Sequence, residues 1–242
     1  MGAMFHPDGP TFMELVQQAL TSTEKGYDLI ARKFDRTPFR TPDGMLDGMA
    51  KVIAEGGPVG SALDVCCGTG AALGMLRPLC RDRVVGVDFS QGMLDEAGRR
   101  LATAPGTARV ELLRKNAFAL DFDRTFDVVT SVGAFGHVEP KDEAPFLEGI
   151  FRALVPGGRF VFVTSEPPRW NTPAFWMAHG FNGVMRARNA VLKPAFIMYY
   201  LTFLWPEVRG LLERHGFRVE ARRSVLPEPF QRGIVVVATR PA

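Results

Sequence analysis

The sequence predicts an α/β protein with a doubly wound, mostly parallel sheet of seven strands. A helical cap is expected over residues 1–60, and an apolar lid inserted at about residues 166–205, between the fifth and sixth strands, within a core spanning 61–242. Three observations carry this expectation. From Ser61 onward short β-branched runs alternate with helical segments, and the first run ends in a Gly-x-Gly turn. A hydrophobic share of 46% against 23% charged then gives the 242 residues enough apolar surface for one large core.

Thr11-Phe12-Met13-Glu14 has the form of a capping box, with Phe12, Leu15, Val16, Ala19 and Leu20 following at helical spacing. A second helical stripe runs through Tyr27, Ile30, Ala31 and Phe34. Thr41-Pro42 reads as an N-cap followed by proline at the first helical position, and Gly56-Gly57-Pro58 ends that third helix. Strands are expected at 62–66, 84–88, 110–113, 126–131 and 159–164, with helices at about 70–80, 91–102 and 142–154. Strands buried on both faces and joined by helices pair in parallel through right-handed crossovers.

After Thr164 the alternation stops, and Glu166 to Pro206 is rich in Pro, Trp, Phe and Met. Phe196, Tyr199, Tyr200, Phe203 and Leu204 sit at helical spacing, while Ile197, Met198 and Leu201 make the other face apolar too, which predicts a covered helix. A helix at about 206–214 and strands at 217–222 and 233–239 close the chain.

Charge and cysteine content narrow the function classes. Lys plus Arg total 29 against 26 Asp plus Glu, a formal +3 without any long block of one sign, so no nucleic-acid partner is suggested. The longest apolar stretch, Ala195 to Trp205, is about half of the ~20 residues a membrane span needs. Residues 1–20 show neither a basic region nor an uninterrupted apolar run, so no secretory signal is expected. Cys66, Cys67 and Cys80 form neither a C-x-x-C pair nor a His cluster, which predicts no metal and fits a reducing cytoplasm.

The sharpest local signal is Leu63-Asp64-Val65-Cys66-Cys67-Gly68-Thr69-Gly70, a buried strand running through a glycine turn into a helix. Such a turn lets a ligand approach the backbone at a helix N-terminus. Eighteen residues past Gly70, Asp88 ends the second strand, where a carboxylate can accept both hydroxyls of a ribose. A dinucleotide fingerprint would want a small residue where Leu73 stands. Asp64 decides more, since a carboxylate at the turn repels a pyrophosphate but attracts an ammonium and a sulfonium.

With Val87-Asp88-Phe89-Ser90 before Met93-Leu94, with Phe126-Asp127-Val128-Val129, and with Leu154-Val155-Pro156-Gly157-Gly158-Arg159-Phe160, residues 25–165 resemble the class I S-adenosylmethionine-dependent methyltransferases, a Rossmann-like family. That resemblance implies S-adenosyl-L-methionine as cofactor. It places Asp64, Cys66, Cys67, Gly68, Thr69 and Gly70 around the methionine end, Asp88 on the ribose, and Phe89, Ser90 and Met93 beside the adenosine. Asn116 stands where the family often carries an acid, followed by Ala117 and Phe118. Ser131, Val132 and Gly133 end the fourth strand near the transferred methyl, and lack the Asn/Asp-Pro-Pro-aromatic motif of base methylation. Tyr27 and Phe34 are similar to a stretch that closes over the cofactor in small-molecule members.

His137 is the candidate catalytic base, because its ordinary pKa suits proton removal near neutrality. Trp170, Phe175, Trp176, Phe181 and Tyr199 would suit an apolar acceptor; Arg169, Arg186, Arg188 and Lys193 read as a solvated face or a site for an acidic one. The expected activity is methyl transfer to O, N or C of a small apolar or aromatic acceptor. Two rivals remain: an NAD(P)-dependent oxidoreductase, disfavoured by Asp64 and Leu73, and a non-catalytic S-adenosylmethionine-binding regulatory module, left open by Asn116.

Overall fold

The structure, a computed structural model, describes residues 6–242; residues 1–5, assigned above to the cap, lie outside the described residues. Seven strands form one sheet in the order β3-β2-β1-β4-β5-β7-β6. They are β1 (Val59–Val65), β2 (Cys80–Asp88), β3 (Arg109–Arg114), β4 (Phe126–Thr130), β5 (Leu154–Thr164), β6 (Arg218–Arg223) and β7 (Ile234–Thr239). Pairing is parallel from β3 through β5, and β7 runs antiparallel to both β5 and β6.

The two-residue period of a strand divides the core. Leu63, Val65 and Val129 point into an aromatic-rich cluster with Phe146 and Phe160, covered by α6 (Glu143–Ala153) and α8 (Glu207–Arg214). Ala62, Val84 and Val128 point to the opposite cluster, covered by α3 (Asp43–Glu55), α4 (Ala71–Leu76) and α5 (Gln91–Leu101). Near-continuous burial along β1 and along residues 84–88 of β2 follows from helices on both faces. The strand order reverses at β1 and β4, so a crevice opens beyond their C-terminal ends.

α1 (Phe12–Leu20) begins with the expected capping box. Thr11 Oγ1 accepts from the Glu14 amide at 3.2 Å, and Glu14 Oε2 accepts from the Thr11 amide at 2.6 Å. Lys33 Nζ, 2.7 Å from Glu14, ties α1 to α2 (Thr23–Phe34), and with the Thr11 amide holds the Glu14 carboxyl at about 2. The expected apolar stripe of α1 is only half used: Leu15, Val16 and Ala19 are partly covered, whereas Phe12 and Leu20 face outward. Nothing packs on that side of the helix among the described residues. α3 also starts differently from expectation. Pro42 occupies the N-cap position without a side-chain bond, and Thr41 turns toward the crevice instead of capping.

The insertion after β5 departs most from the sequence pattern. Its helix is α7 (Pro173–Val191), and residues 192–206 are irregular, including 196–204, where the spacing predicts a helix. Leu201 and Phe203 have φ of 61° and 50°, a left-handed backbone that no α-helix admits. The backbone groups a helix would have paired are satisfied sideways. Asn189 accepts from the Phe196 amide and donates to the Phe196 carbonyl, both at 3.0 Å, while Asn182 makes the same pair with Tyr200 at 2.8 Å. The amides of Ile197 and Tyr199 bond to Thr23 Oγ1 and the Gly136 carbonyl. Phe196 and Phe203 are buried as expected, but by tertiary contact and not by helical packing. Asn189→Ala is expected to destabilise the protein by about 2–4 kcal/mol, because a buried amide and carbonyl lose their partners together. A urea titration reads this directly.

Candidate active site

The crevice beyond β1, β2 and β4 is lined on its floor by the loop from Cys66 to Thr69. Gly68 has φ of 51°, and no atom lies within 4 Å of where a Cβ would stand, so the backbone faces open space. Gly70 serves packing: it is the left-handed N-cap of α4, and a Cβ there would meet Ala97 at 3.0 Å.

Two buried carboxylates border this loop. Asp64, in β1, takes a hydrogen bond from Thr130 Oγ1 at 2.7 Å. Burial pushes its carboxyl up to about 7, against the lowering effect of that hydrogen bond. Asp88, at the end of β2, accepts from the Gly68 amide on one oxygen and from the Ser90 amide on the other, each at 2.9 Å. Burial raises its pKa too, opposed by those backbone amides. Because the two amides fix the carboxylate plane while each oxygen keeps a lone pair, Asp88 is set to receive two further donors. Arg40, the cation on the wall, is turned to Asp43 at 2.5 Å. The crevice therefore favours a ligand that carries positive charge.

α2 closes the crevice from outside. Asp28 accepts from Ser90 Oγ at 2.6 Å and from the Gly92 amide at 2.9 Å, and about two turns further on Asp35, the C-cap of α2, accepts from Thr69 Oγ1 at 2.7 Å. These latches hold Tyr27 and Phe34 over the loop. The Tyr27 hydroxyl lies 2.9 Å from His137 Nε2, and His137 Nδ1 bonds the Ile197 carbonyl. A carbonyl only accepts, so Nδ1 carries the ring proton, Nε2 is bare, and Tyr27 donates to it. Burial keeps this histidine neutral by lowering its pKa, and burial first, with Asp88 next, raises that of Tyr27.

Thirteen of the residues named from sequence meet on this wall: Tyr27, Phe34, Asp64, Cys66, Cys67, Gly68, Thr69, Asp88, Phe89, Met93, Val132, Gly133 and His137. Ser90 stands behind it as the buried N-cap of α5, accepting from the Met93 amide, and Ser131 Oγ is buried without a hydrogen-bond partner. The structure does not bring Asn116, Ala117 and Phe118 to the wall. Asn116 is exposed, with its side-chain oxygen taken by the Phe118 amide in a local turn; Ala117 is in the core, and Phe118 packs edge-on to Phe146.

The aromatic residues expected to touch an acceptor are not on the wall either. Trp170 and Trp176 face outward, Phe175 tilts against His179, Phe181 meets Tyr200, and Tyr199 borders a separate hollow between α6 and α7. The insertion acts on the crevice indirectly: Phe196 stacks on Tyr27 and Ile197 holds His137. Sequence reading missed Phe39, Arg40, Thr41, Ala71, Ala72 and Ala134. Ala71 and Ala72 were recoverable as the first turn after the glycine loop, whereas nothing local marks Phe39 to Thr41.

Residues 62–158 match a family model described as "Methyltransferase domain". Demethylmenaquinone methyltransferases from Symbiobacterium thermophilum and Lactococcus lactis are 39% and 40% identical to this chain over 109 and 111 residues. The matches cover 44% and 45% of this chain and 43% of each relative, so it spans less than half the length of those relatives. An O-methyltransferase family protein from Burkholderia thailandensis superposes with a TM-score of 0.69 at 17% identity, covering 93% of this chain and 64% of that one. A structure titled "DhpI-SAH complex structure" superposes at 0.65 and 22%, covering 96% and 99%.

Proposed function

We propose that this chain, whose residues 62–158 match a methyltransferase domain, is a class I S-adenosylmethionine-dependent methyltransferase that transfers a methyl group to O, N or C of a small apolar or aromatic acceptor. The observation that carries this reading is the pair of buried carboxylates flanking an open glycine loop, a setting that suits a cationic nucleoside and opposes a diphosphate. The residues present fit S-adenosylmethionine: room above Gly68 and spare acceptor capacity on Asp88. When bound, it supplies a methyl group on a positively charged sulfur, already activated for transfer.

The chain's own residues position and deprotonate. Asp88 holds the ribose hydroxyls, Asp64 organises the amino-acid end, and Phe89 and Met93 pack at the adenosine. Phe34, Phe39 and Tyr27 give the acceptor an apolar enclosure that excludes water. His137 works through Tyr27: Nε2 takes the tyrosine proton while the phenolic oxygen takes one from the acceptor. α1 and α2 serve as a cap over the crevice and residues 166–205 as a lid that fixes this pair. The demethylmenaquinone methyltransferase names support a small, ring-bearing acceptor as the first class to test.

A thermal-shift titration with S-adenosylmethionine, S-adenosylhomocysteine and NAD tests the cofactor assignment, since a ligand that binds only the native state raises the melting temperature. Stabilisation by the first two alone is expected; stabilisation by NAD alone removes the reading. The same titration across pH carries a sign. Asp64 attracts the cationic ligand only when ionised and is held at about 7, so affinity is expected to be flat above pH 7. Below it, affinity should fall by about tenfold per pH unit. Asp64→Asn is expected to flatten that profile.

A further inference from the structure

We propose that α7 and the turn leading into it form a peripheral docking surface for an anionic lipid bilayer. This inference stands independently of the catalytic reading. α7 is about 28 Å long and is inverted relative to a usual surface helix. Its inward face holds Asn182 and Asn189, spent on the backbone of residues 196–200. Its outward face is apolar at helical spacing through Trp176, Met177, Val184 and Val191, and these with Trp170 are 65–81% exposed. Between them Gly180, Gly183 and Ala187 add no polar group. Large contiguous apolar exposure of this kind marks an interaction site.

Charge selects the occupant. From Pro167 to Pro206 there is no Asp or Glu, while Arg169, Arg186, Arg188 and Lys193 are all present. The whole chain is only +3, so the remainder is net negative and the positive charge is concentrated on this segment. None of the four makes a salt bridge among the described residues; Arg186 lies over the Tyr199 ring and Arg188 bonds carbonyls, one of them Thr21 at the end of α1. That last bond ties the C-terminal end of α7 to the end of α1, whose Phe12, Met13 and Leu20 are also exposed. An apolar strip with two tryptophans, edged by unneutralised cations, matches the boundary between anionic headgroups and acyl chains. A second copy of the chain is disfavoured, because it would oppose two cationic segments without a carboxylate between them. No described helix is long and apolar enough to cross a membrane, so the mode is lying on the surface.

Flotation of the full chain with vesicles of phosphatidylcholine alone, and of phosphatidylcholine with an equal part of phosphatidylglycerol, tests the proposal. Binding to the anionic vesicles only, weakened by salt, is expected. Trp170 and Trp176 should shift to shorter emission wavelengths and be quenched by brominated acyl chains, since the third tryptophan, Trp205, packs on the core. Trp176→Ser with Met177→Ser should weaken partitioning by roughly tenfold or more through lost apolar burial. Arg169→Gln with Arg186→Gln should remove most of the preference for anionic lipid. Both variants are expected to keep their thermal shift with S-adenosylhomocysteine, which separates failure of docking from failure of the cofactor site. Absence of flotation on anionic vesicles overturns the proposal, as does flotation that the Trp176/Met177 pair leaves unchanged. So does a dimer in solution that the same pair dissolves, which would give the face to a second copy.

Discussion

Asp88→Ala is expected to weaken S-adenosylhomocysteine binding by roughly a hundredfold or more, the loss of two hydrogen bonds to a charged acceptor. Both Asp88 oxygens are already fixed by the Gly68 and Ser90 amides, so no reorganisation is needed when ligand hydroxyls arrive. Asp88→Asn keeps the shape and one accepting oxygen but removes the charge, and should fall between the two. Isothermal titration gives the affinities, and the melting temperature of the free variant reports whether the loop survives loss of its anchor. A folded Asp88→Ala protein with unchanged affinity would take Asp88 out of the ribose site.

Tyr27→Phe is the second large effect. It removes only the hydroxyl that bonds His137, and is expected to lower the single-turnover methylation rate by about a hundredfold, the lower end of what a positioned base contributes. Cofactor affinity should change little, because the ring and its stacking on Phe196 remain. His137→Ala should cost a similar factor, and the double variant should be no slower than the slower single one, since the two groups act in series on one proton. Independent losses that multiply would refute a relay. The neutral, buried state of His137 also sets the pH response: its pKa is lowered, so the rate is expected to hold through neutrality and to fall only in more acidic solution.

How much of this was legible in the chain differs by element. The five inner strands were readable as runs rich in β-branched residues that covering helices keep buried, whereas the edge strands β3 and β6, with one valine each, were readable from their place between a helix or turn and the next break. The loop from Asp64 to Gly70 and the acid at Asp88 were readable for the same reason: a strand, its following turn and the next helix are contiguous, so spacing places them. Asn116 misled because a side chain that can face a ligand can equally close its own turn, and here it bonds the Phe118 amide.

The stretch 196–204 misled for a different reason. Its apolar residues do fall at helical spacing, but spacing records only what is buried, not which backbone partners are available. Two asparagines on α7 supply those partners, and that supply exists only after α7 has docked. By itself the sequence determined the sheet, the glycine loop and the two acids, all governed by local periodicity and turn chemistry. Tertiary structure alone decided that Tyr27 meets His137 across 110 positions, that Thr41 faces the crevice, and that α7 turns its apolar side outward. Those are contacts between distant segments, where burial and hydrogen-bond completion outweigh any preference written in the neighbouring residues.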